Sequence, residues 1–470
     1  MREQYIGKFF KENSMKIDVK VKNLGRIKEA EFKVRPMTII TGSNGTGKSF
    51  FTKSLYSILN VVNKNVYYEA ISKIIRQTRL KLLHFTSISE EEAIYRNDII
   101  LAIDKLQIDL NDAARWKIND YFILINSKLG DIKKTQAIYL DYLNKIENKT
   151  KFNHFLKMDI EDSFTILLDY LNNPQKIYSQ SLSSSIDNEL KDNFQISSLN
   201  ELISFDQTQT EILVDNLLNI NFSANNISLK LEDDFIDEVA CLSSVVFFES
   251  PAYWKVKDAL KMAKERTASL LSSGQNRDDF LTGVPKYFYD LDDTLKIKTK
   301  TSGYFKDIAD SLEKTIGGEF IFEGDNLSFK EKETGREISK HLVSFGMTNL
   351  GMIHALLKHN IITAGSFVFI DEPETNLHPD WQLILVNTLL ALAEKGVNIV
   401  ITTHSTDILK SLEVGIKKRK IDNLNDFLSV HFIDLDGYLL KFDSDAADVQ
   451  LTEAISLLNS TYSDLYFSGL

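Results

Sequence analysis

The sequence predicts an α/β protein: a head built on a parallel sheet, split by a large all-helical insertion and completed by a short C-terminal hairpin and helix. Three observations predict it. An apolar run, Met37 to Ile40, feeds the glycine-rich stretch Gly42 to Ser49. Two further apolar runs, Ser366 to Ile370 and Asn398 to Thr402, flank a helix-like segment, Trp381 to Glu394, which is the spacing of parallel strands joined by a crossover. Between residues 61 and 240 the only glycine and proline are Gly130 and Pro174, a scarcity that reads as long helices.

Composition narrows the function classes. The 470 residues amount to roughly three domain-equivalents. The 55 Lys and Arg against 66 Asp and Glu leave a net charge of −11, so any DNA contact has to come from a local patch. A single cysteine, Cys241, excludes intrachain disulfides and cysteine-rich zinc sites and is expected as buried filler. Met1 to Lys16 is of mixed charge and lacks the apolar core of a signal peptide. The most apolar long run, Leu383 to Ala393, is interrupted by Asn387 and Thr388 and is about half a bilayer span. A cytoplasmic chain with no membrane partner is expected.

In chain order, Lys16 to Val21 alternates as a strand, Asn23-Leu24-Gly25 turns, and Glu29 to Val34 returns. Phe50 to Leu59 after the glycine loop is helix-like. Within the insertion, Ile99, Ile103, Leu106 and Leu110 share one helical face, as do Phe164, Leu167, Leu168 and Leu171. No heptad pattern persists long enough for a rod-like arm, which predicts a compact insertion. Five serines in Ser179 to Ser185 predict a turn between its helices. Ser244 to Phe248 reads as a strand and Glu319 to Lys330 as a hairpin turning at Gly324-Asp325-Asn326. The tail alternates over Leu428 to Phe442, turns at Asp436-Gly437 and ends on a helix-like Leu451 to Leu458. The expected division is 1–60 for the first part of the head, 61–240 for the insertion, 241–415 for the second part of the head and 416–470 for the terminal element.

Gly42-Ser43-Asn44-Gly45-Thr46-Gly47-Lys48-Ser49 fits G-x-x-x-x-G-K-[ST] between a strand and a helix. Glycines there let successive backbone N–H groups converge on phosphate oxygens, and the helix N-terminus adds partial positive charge. Lys48 reaches the β- and γ-phosphates and the Ser49 hydroxyl suits Mg²⁺, which points to ATP with Mg²⁺. Asp371 and Glu372 end the strand from Ser366; Asp371 suits the Mg²⁺ side, and Glu372 the base that polarises a water for attack on the γ-phosphate. His404 ends the next apolar strand, within reach of the same edge if the strands are neighbours. Lys417-Lys418-Arg419-Lys420 and the alternating Lys296, Lys298 and Lys300 are the basic runs, and a short charge run is more often a solvated face than a phosphate-backbone contact.

Asp371-Glu372-Pro373-Glu374-Thr375-Asn376-Leu377-His378-Pro379, followed by Thr402-Thr403-His404-Ser405, resembles the Walker B, D-loop and H-loop series of ABC-type ATPases, in the flavour of the soluble OLD-like and RecF-like AAA group. Lys22 to Ile27 resembles the element that precedes the phosphate loop in RecF and SMC heads. The resemblance covers about residues 15–60 and 240–410. It implies an ABC-type P-loop ATPase head and a homo-oligomer in which two heads close on two nucleotides, with Ser344 and Gly346 of Val343-Ser344-Phe345-Gly346-Met347-Thr348 as the signature facing the partner's nucleotide. His378 stands where transporters show Asp, and Glu249 stands after a strand where a Q-loop glutamine is looked for. OLD proteins carry a Toprim nuclease, for which the 66 residues after His404 are too short, so intrinsic nuclease activity is not expected. In this the chain resembles the ATPase subunits of antiphage systems such as PARIS and Septu, which scaffold a separate nuclease effector. A RecF-type DNA-repair ATPase is the alternative; a module using ATP as structural glue and a transporter-associated ATPase stand behind it.

Overall fold

The glycine loop leaves a five-stranded parallel sheet. The computed structural model describes residues 15–84, 90–113, 118–145, 151–224, 226–249, 252–262, 283–296, 303–323 and 326–467. They form two compact units, one of residues 64–185 and one of the residues up to 63 and from 186 on. The chain opens with β1 (Ile17–Leu24), β2 (Ile27–Val34), β3 (Met37–Gly42) and α1 (Lys48–Val62).

The smaller unit is helical. It holds α2 (Val66–His84), α3 (Glu90–Asp112), α4 (Ile118–Lys145) and α5 (Lys151–Asn172), and α6 (Pro174–Phe194) starts in it. Of the expected stripes, Ile99, Ile103, Leu106 and Leu110 are buried on α3 and Phe164, Leu167 and Leu171 on α5, while Leu168 is half-buried. Tyr67 packs edge-on against Tyr121 and donates its hydroxyl to the Tyr170 carbonyl at 2.8 Å, so a large aromatic is buried with its polar tip satisfied. Ser179 to Ser185 is not a turn but lies inside α6. Ile177, Leu182, Ile186 and Leu190 bury one face of that helix, and this apolar stripe overrides the serines' local preference for turns.

In the larger unit follow β4 (Gln209–Val214), β5 (Leu218–Ser223), β6 (Ile227–Leu231), β7 (Val245–Phe248), α7 (Lys286–Leu295), α8 (Lys306–Ile316), β8 (Gly318–Glu323), β9 (Asn326–Glu331) and β10 (Glu337–Ser339). Then come α9 (Phe345–Lys358), β11 (Phe367–Asp371), α10 (Pro379–Ala393), β12 (Asn398–Thr402), α11 (Thr406–Arg419), β13 (Leu428–Ile433) and α12 (Ala447–Phe467). The central sheet has the order β13-β3-β12-β11-β7 with every pairing parallel. Every residue of β3, β11, β12 and β13 is buried, as a sheet covered on both faces requires. The crossover from β11 to β12 through α10 is the one the apolar runs predict.

Four further expectations change. Residues 209–231, assigned to the helical insertion, are strands: an antiparallel sheet of order β2-β1-β4-β5-β6 places them against the first strand of the chain. Leu428–Ile433 is a buried parallel strand beside β3, where an alternating hairpin strand was expected; the Asp436-Gly437 turn does form, with Gly437 N donating to the Asp434 carbonyl at 3.1 Å. Cys241 is exposed. Lys296 caps α7 instead of starting a strand, and it pairs with Asp292 at 2.7 Å; Lys298 and Lys300 lie outside the described residues. The Glu319 to Lys330 hairpin forms as β8 and β9, with Gly324 and Asp325 of its turn outside the described residues.

Candidate functional site

Register alone assembles the site. Thr402 pairs with Ile40 on one side and with Asp371 on the other, so β3, β12 and β11 end side by side and deliver Gly42, Thr402-Thr403-His404 and Asp371-Glu372 to one carboxyl edge. At the end of β3, Gly42 has φ 134°, and a Cβ there would run into the Ile433 carbonyl oxygen of the neighbouring strand. Gly47, with φ 105°, starts α1, and its Cβ would stand 2.9 Å from Ile27 Cγ1. Only glycine fits either place. The Thr46 hydroxyl donates to the Ser43 carbonyl at 3.0 Å and braces the loop between them. No side chain caps α1, so its first N–H groups are available to an anion.

Lys48 is buried, and its Nζ donates to the Gly42 and Ser43 carbonyls at 3.0 and 2.7 Å. Burial lowers its pKa from 10.5 to about 8, against the opposing pull of Glu372, Asp371 and Glu374. The ammonium thus sits in the loop hydrogen-bonded to two carbonyl oxygens, with the Glu372, Asp371 and Glu374 charges nearby, a place suited to phosphate oxygens. Asp371 is buried too, and burial raises its carboxyl above the ordinary range despite hydrogen bonds from Thr402 and Ser49. Its Oδ1 accepts from the Ser49 hydroxyl at 3.2 Å and from the Thr402 hydroxyl. A buried carboxylate bonded only to neutral hydroxyls favours a cation. The Ser49–Asp371 separation is close to the ~2.9 Å between adjacent oxygens of octahedral Mg²⁺, which takes one or two carboxylates plus substrate phosphates. Among the described residues there is no group of three or more His, Cys, Asp or Glu to hold a metal by protein ligands alone.

Glu372 occupies the left-handed region, with φ 49°, a strained conformation for a non-glycine residue. Its Oε1 lies 3.1 Å from His404 Nε2, and His404 Nδ1 lies 2.9 Å from the Gly42 carbonyl oxygen. That carbonyl only accepts, which fits a proton on Nδ1, and Nε2 then faces the Glu372 carboxylate. Glu374, to which the sequence reading gave no role, ties the edge together. Its Oε1 accepts from Thr403 Oγ1 at 2.9 Å and from the His404 backbone N–H at 2.8 Å, while its Oε2 is buried without a partner. The available signal was an acid two residues beyond the acidic pair.

The remaining candidates stand as follows. The phosphate loop residues Asn44 to Ser49, with Glu372 and His404, line one cavity of about 1010 Å³, which also takes in Gly25, Arg26 and the segment 203–207. Ser344 and Gly346 do not line it. Ser344 caps α9, accepting from Met347 N at 3.2 Å, and Gly346 lies against the turn after β11, 3.5 Å from the Asn376 carbonyl at its Cβ position. His378 caps α10 through a 3.3 Å bond from Asp380 N. Glu249, one residue past β7 and beside Asp371 by register, pairs with Lys53 at 2.9 Å and accepts from the Tyr287 hydroxyl. The basic run is partly neutralised, by Lys417–Glu413 at 2.6 Å and Arg419–Glu394 at 3.2 Å.

The AAA ATPase domain family matches residues 15–409. The chain belongs to that family. The match takes in β1 to β12 and the helical segment between α1 and β4, and ends before β13. Over 133 residues the chain is 26% identical to the energy-coupling factor transporter ATP-binding protein EcfA of Methanothermobacter thermautotrophicus, a stretch that covers 26% of this chain and 43% of that protein. The chain thus spans under half the length of the curated relative it matches. Among solved structures it is similar to an Smc head domain from Pyrococcus furiosus bound to the C-terminal domain of ScpA (TM-score 0.38, 10% identity, 95% of this chain and 98% of that one). The SMC head domain from Thermotoga maritima gives a TM-score of 0.32 at 9% identity over 89% and 94%. Among the described residues no helix is long and apolar enough to cross a membrane.

Proposed function

We propose that the ATPase hydrolyses ATP at this edge, with Glu372 as general base and His404 as its partner, and that nucleotide-driven closure of two heads switches a separate effector protein. The observation that carries the chemistry is the convergence of Lys48, Ser49, Glu372 and His404 on one cavity. Gly42 to Ser49 cradle the phosphates through backbone N–H groups, and Lys48 exchanges its two carbonyl partners for phosphate oxygens. Ser49 and Asp371 hold Mg²⁺, which when bound neutralises charge on the β- and γ-oxygens. Glu372, released from His404, accepts a proton from the attacking water, and His404, fixed through Nδ1 on Gly42, keeps its Nε2 facing the same point.

The switch rests on the resemblance to antiphage ATPase subunits and on the acidic charge, which suits protein partners better than a duplex. In it, Ser344 and Gly346 present the N-terminus of α9 to the nucleotide of a second copy. Steady-state hydrolysis by the wild-type chain and by Glu372→Gln, with and without double-stranded DNA, tests the whole reading, with light scattering to follow assembly. Glu372→Gln is expected to bind ATP, lose at least 100-fold in turnover and accumulate as a closed assembly. Turnover within twofold of wild type moves the base elsewhere. Several-fold stimulation by DNA favours the RecF-type alternative over a protein-gated switch.

A further inference from the structure

The helical unit carries a polar cleft of its own. Its volume is about 600 Å³, the size of a small-molecule site, and its lining is Tyr68, Glu69, Ser72 and Arg76 from α2 with Gln107 and Asn111 from α3, without one aliphatic side chain. The two helices run antiparallel here: Gln107 Nε2 donates to Ser72 Oγ at 3.2 Å, and the Tyr68 hydroxyl donates to Asn111 Oδ1 at 2.8 Å. The lining therefore has an order. Tyr68, Glu69 and Asn111 form one end, Ser72 and Gln107 the middle, and Arg76 the other end.

The charges at the two ends have no partner. Arg76 donates Nε to the Ser72 carbonyl at 3.2 Å, a backbone contact that leaves both Nη atoms without an acceptor among the described residues. Glu69 is exposed and makes no ion pair among the described residues, although Lys73 stands four residues on, the spacing at which two such side chains meet. One turn beyond the cleft the same two helices are closed by an ion pair, Arg79 Nε to Asp104 Oδ1 at 2.5 Å, so the open charges belong to the cleft itself. The middle is short of partners as well. Gln107 Nε2 also donates to Asn111 Oδ1 at 2.7 Å, while Gln107 Oε1 is buried without a partner and Asn111 Nδ2 donates to nothing among the described residues. A bare acceptor beside a bare donor is the complement of a peptide group, whose N–H and C=O each need a partner.

We propose that this cleft binds a short peptide by both of its free termini, with the α-carboxylate on Arg76, the α-ammonium on Glu69 and a peptide group between them on Gln107 and Asn111. A lone anion would be repelled by Glu69 and a lone amine by Arg76, so only a ligand that carries both charges satisfies both ends. Glu69 and Arg76 stand seven residues apart, about 10 Å of helix, and Arg76 leans back over Ser72, which leaves a span that two or three peptide residues cover at about 3.5 Å each. The inference lies outside the nucleotide site and does not rest on the reading of it.

Saturation-transfer NMR on the full chain with triglycine, N-acetyl-triglycine and triglycinamide tests it, wild type beside Arg76→Met and Glu69→Gln. Both side chains are exposed, so neither change touches the core. The wild type is expected to bind triglycine saturably and each blocked peptide at least about fivefold more weakly, since each has lost one charge-assisted hydrogen bond. Arg76→Met is expected to weaken triglycine by about the same factor and to bind triglycine and triglycinamide equally; Glu69→Gln does the same for triglycine and N-acetyl-triglycine. No saturable binding of triglycine by the wild type overturns the site and leaves the nucleotide reading standing, because the phosphate loop lies in the other unit. Equal affinity for all three peptides overturns recognition of the termini. A loss with triglycinamide alone overturns the two-ended site in favour of one for a lone carboxylate, such as the C-terminus of a protein. Discrimination that survives in both variants puts the peptide elsewhere and overturns the assignment too.

Discussion

Affinity for ATP should fall as pH rises above 8, because the cation that meets the phosphates is itself titrating. Lys48 has a pKa of about 8 in the free protein, set by burial among the Gly42 and Ser43 carbonyls. A bound triphosphate places several negative oxygens around Nζ and returns its pKa to the ordinary lysine range, so binding is coupled to protonation. At pH 7.5 about three quarters of the free protein carries a charged Lys48, and at pH 9 about one tenth, which makes Kd about eightfold larger at pH 9. Isothermal titration in two buffers of different ionisation enthalpy reads both consequences: the eightfold loss, and uptake of about 0.8 of a proton per ATP bound at pH 8.5. The same shift acts on folding in the opposite sense. With the folded pKa below the unfolded one, the unfolded chain binds more protons between about pH 8 and 10.5, and this residue's contribution to stability rises across that window. Affinity constant to within twofold from pH 7.5 to 9, with no proton uptake, would refute a buried and neutralisable Lys48.

Two substitutions separate structure from chemistry. Gly42→Ala forces a Cβ against the Ile433 carbonyl at φ 134°, so a loss of at least ~2 kcal/mol of stability is expected, read as a lowered Tm; an unchanged melting curve would show that β13 can move away from β3. Glu374→Ala leaves the His404 N–H and the Thr403 hydroxyl without their acceptor, and turnover should fall about tenfold while ATP affinity stays within twofold, because His404 loses its anchor but the phosphate loop is untouched; equal loss of both would assign Glu374 to binding.

The legible parts of this chain are those in which a local pattern and a tertiary demand coincide. Met37 to Gly42 announces a strand through apolar residues, and the sheet requires it buried on both faces, so periodicity and burial give one answer. The phosphate loop is legible because Gly42 and Gly47 must be glycine for steric reasons that leave a spacing in the sequence. Gln209–Val214 shows the opposite case. Its alternation is plain, with Thr210, Ile212 and Val214 inward, but its partner is β1, nearly two hundred residues earlier, and next to a long helical stretch the short run reads as more of the same. Glu374 fails in a different way. An acid beside two acids carries no periodic signal, and its meaning lies in what the fold sets opposite it, the His404 backbone. Motif spacing records where backbone has to approach phosphate. It is silent on side chains that orient others, because many sequence positions can deliver them to the same place.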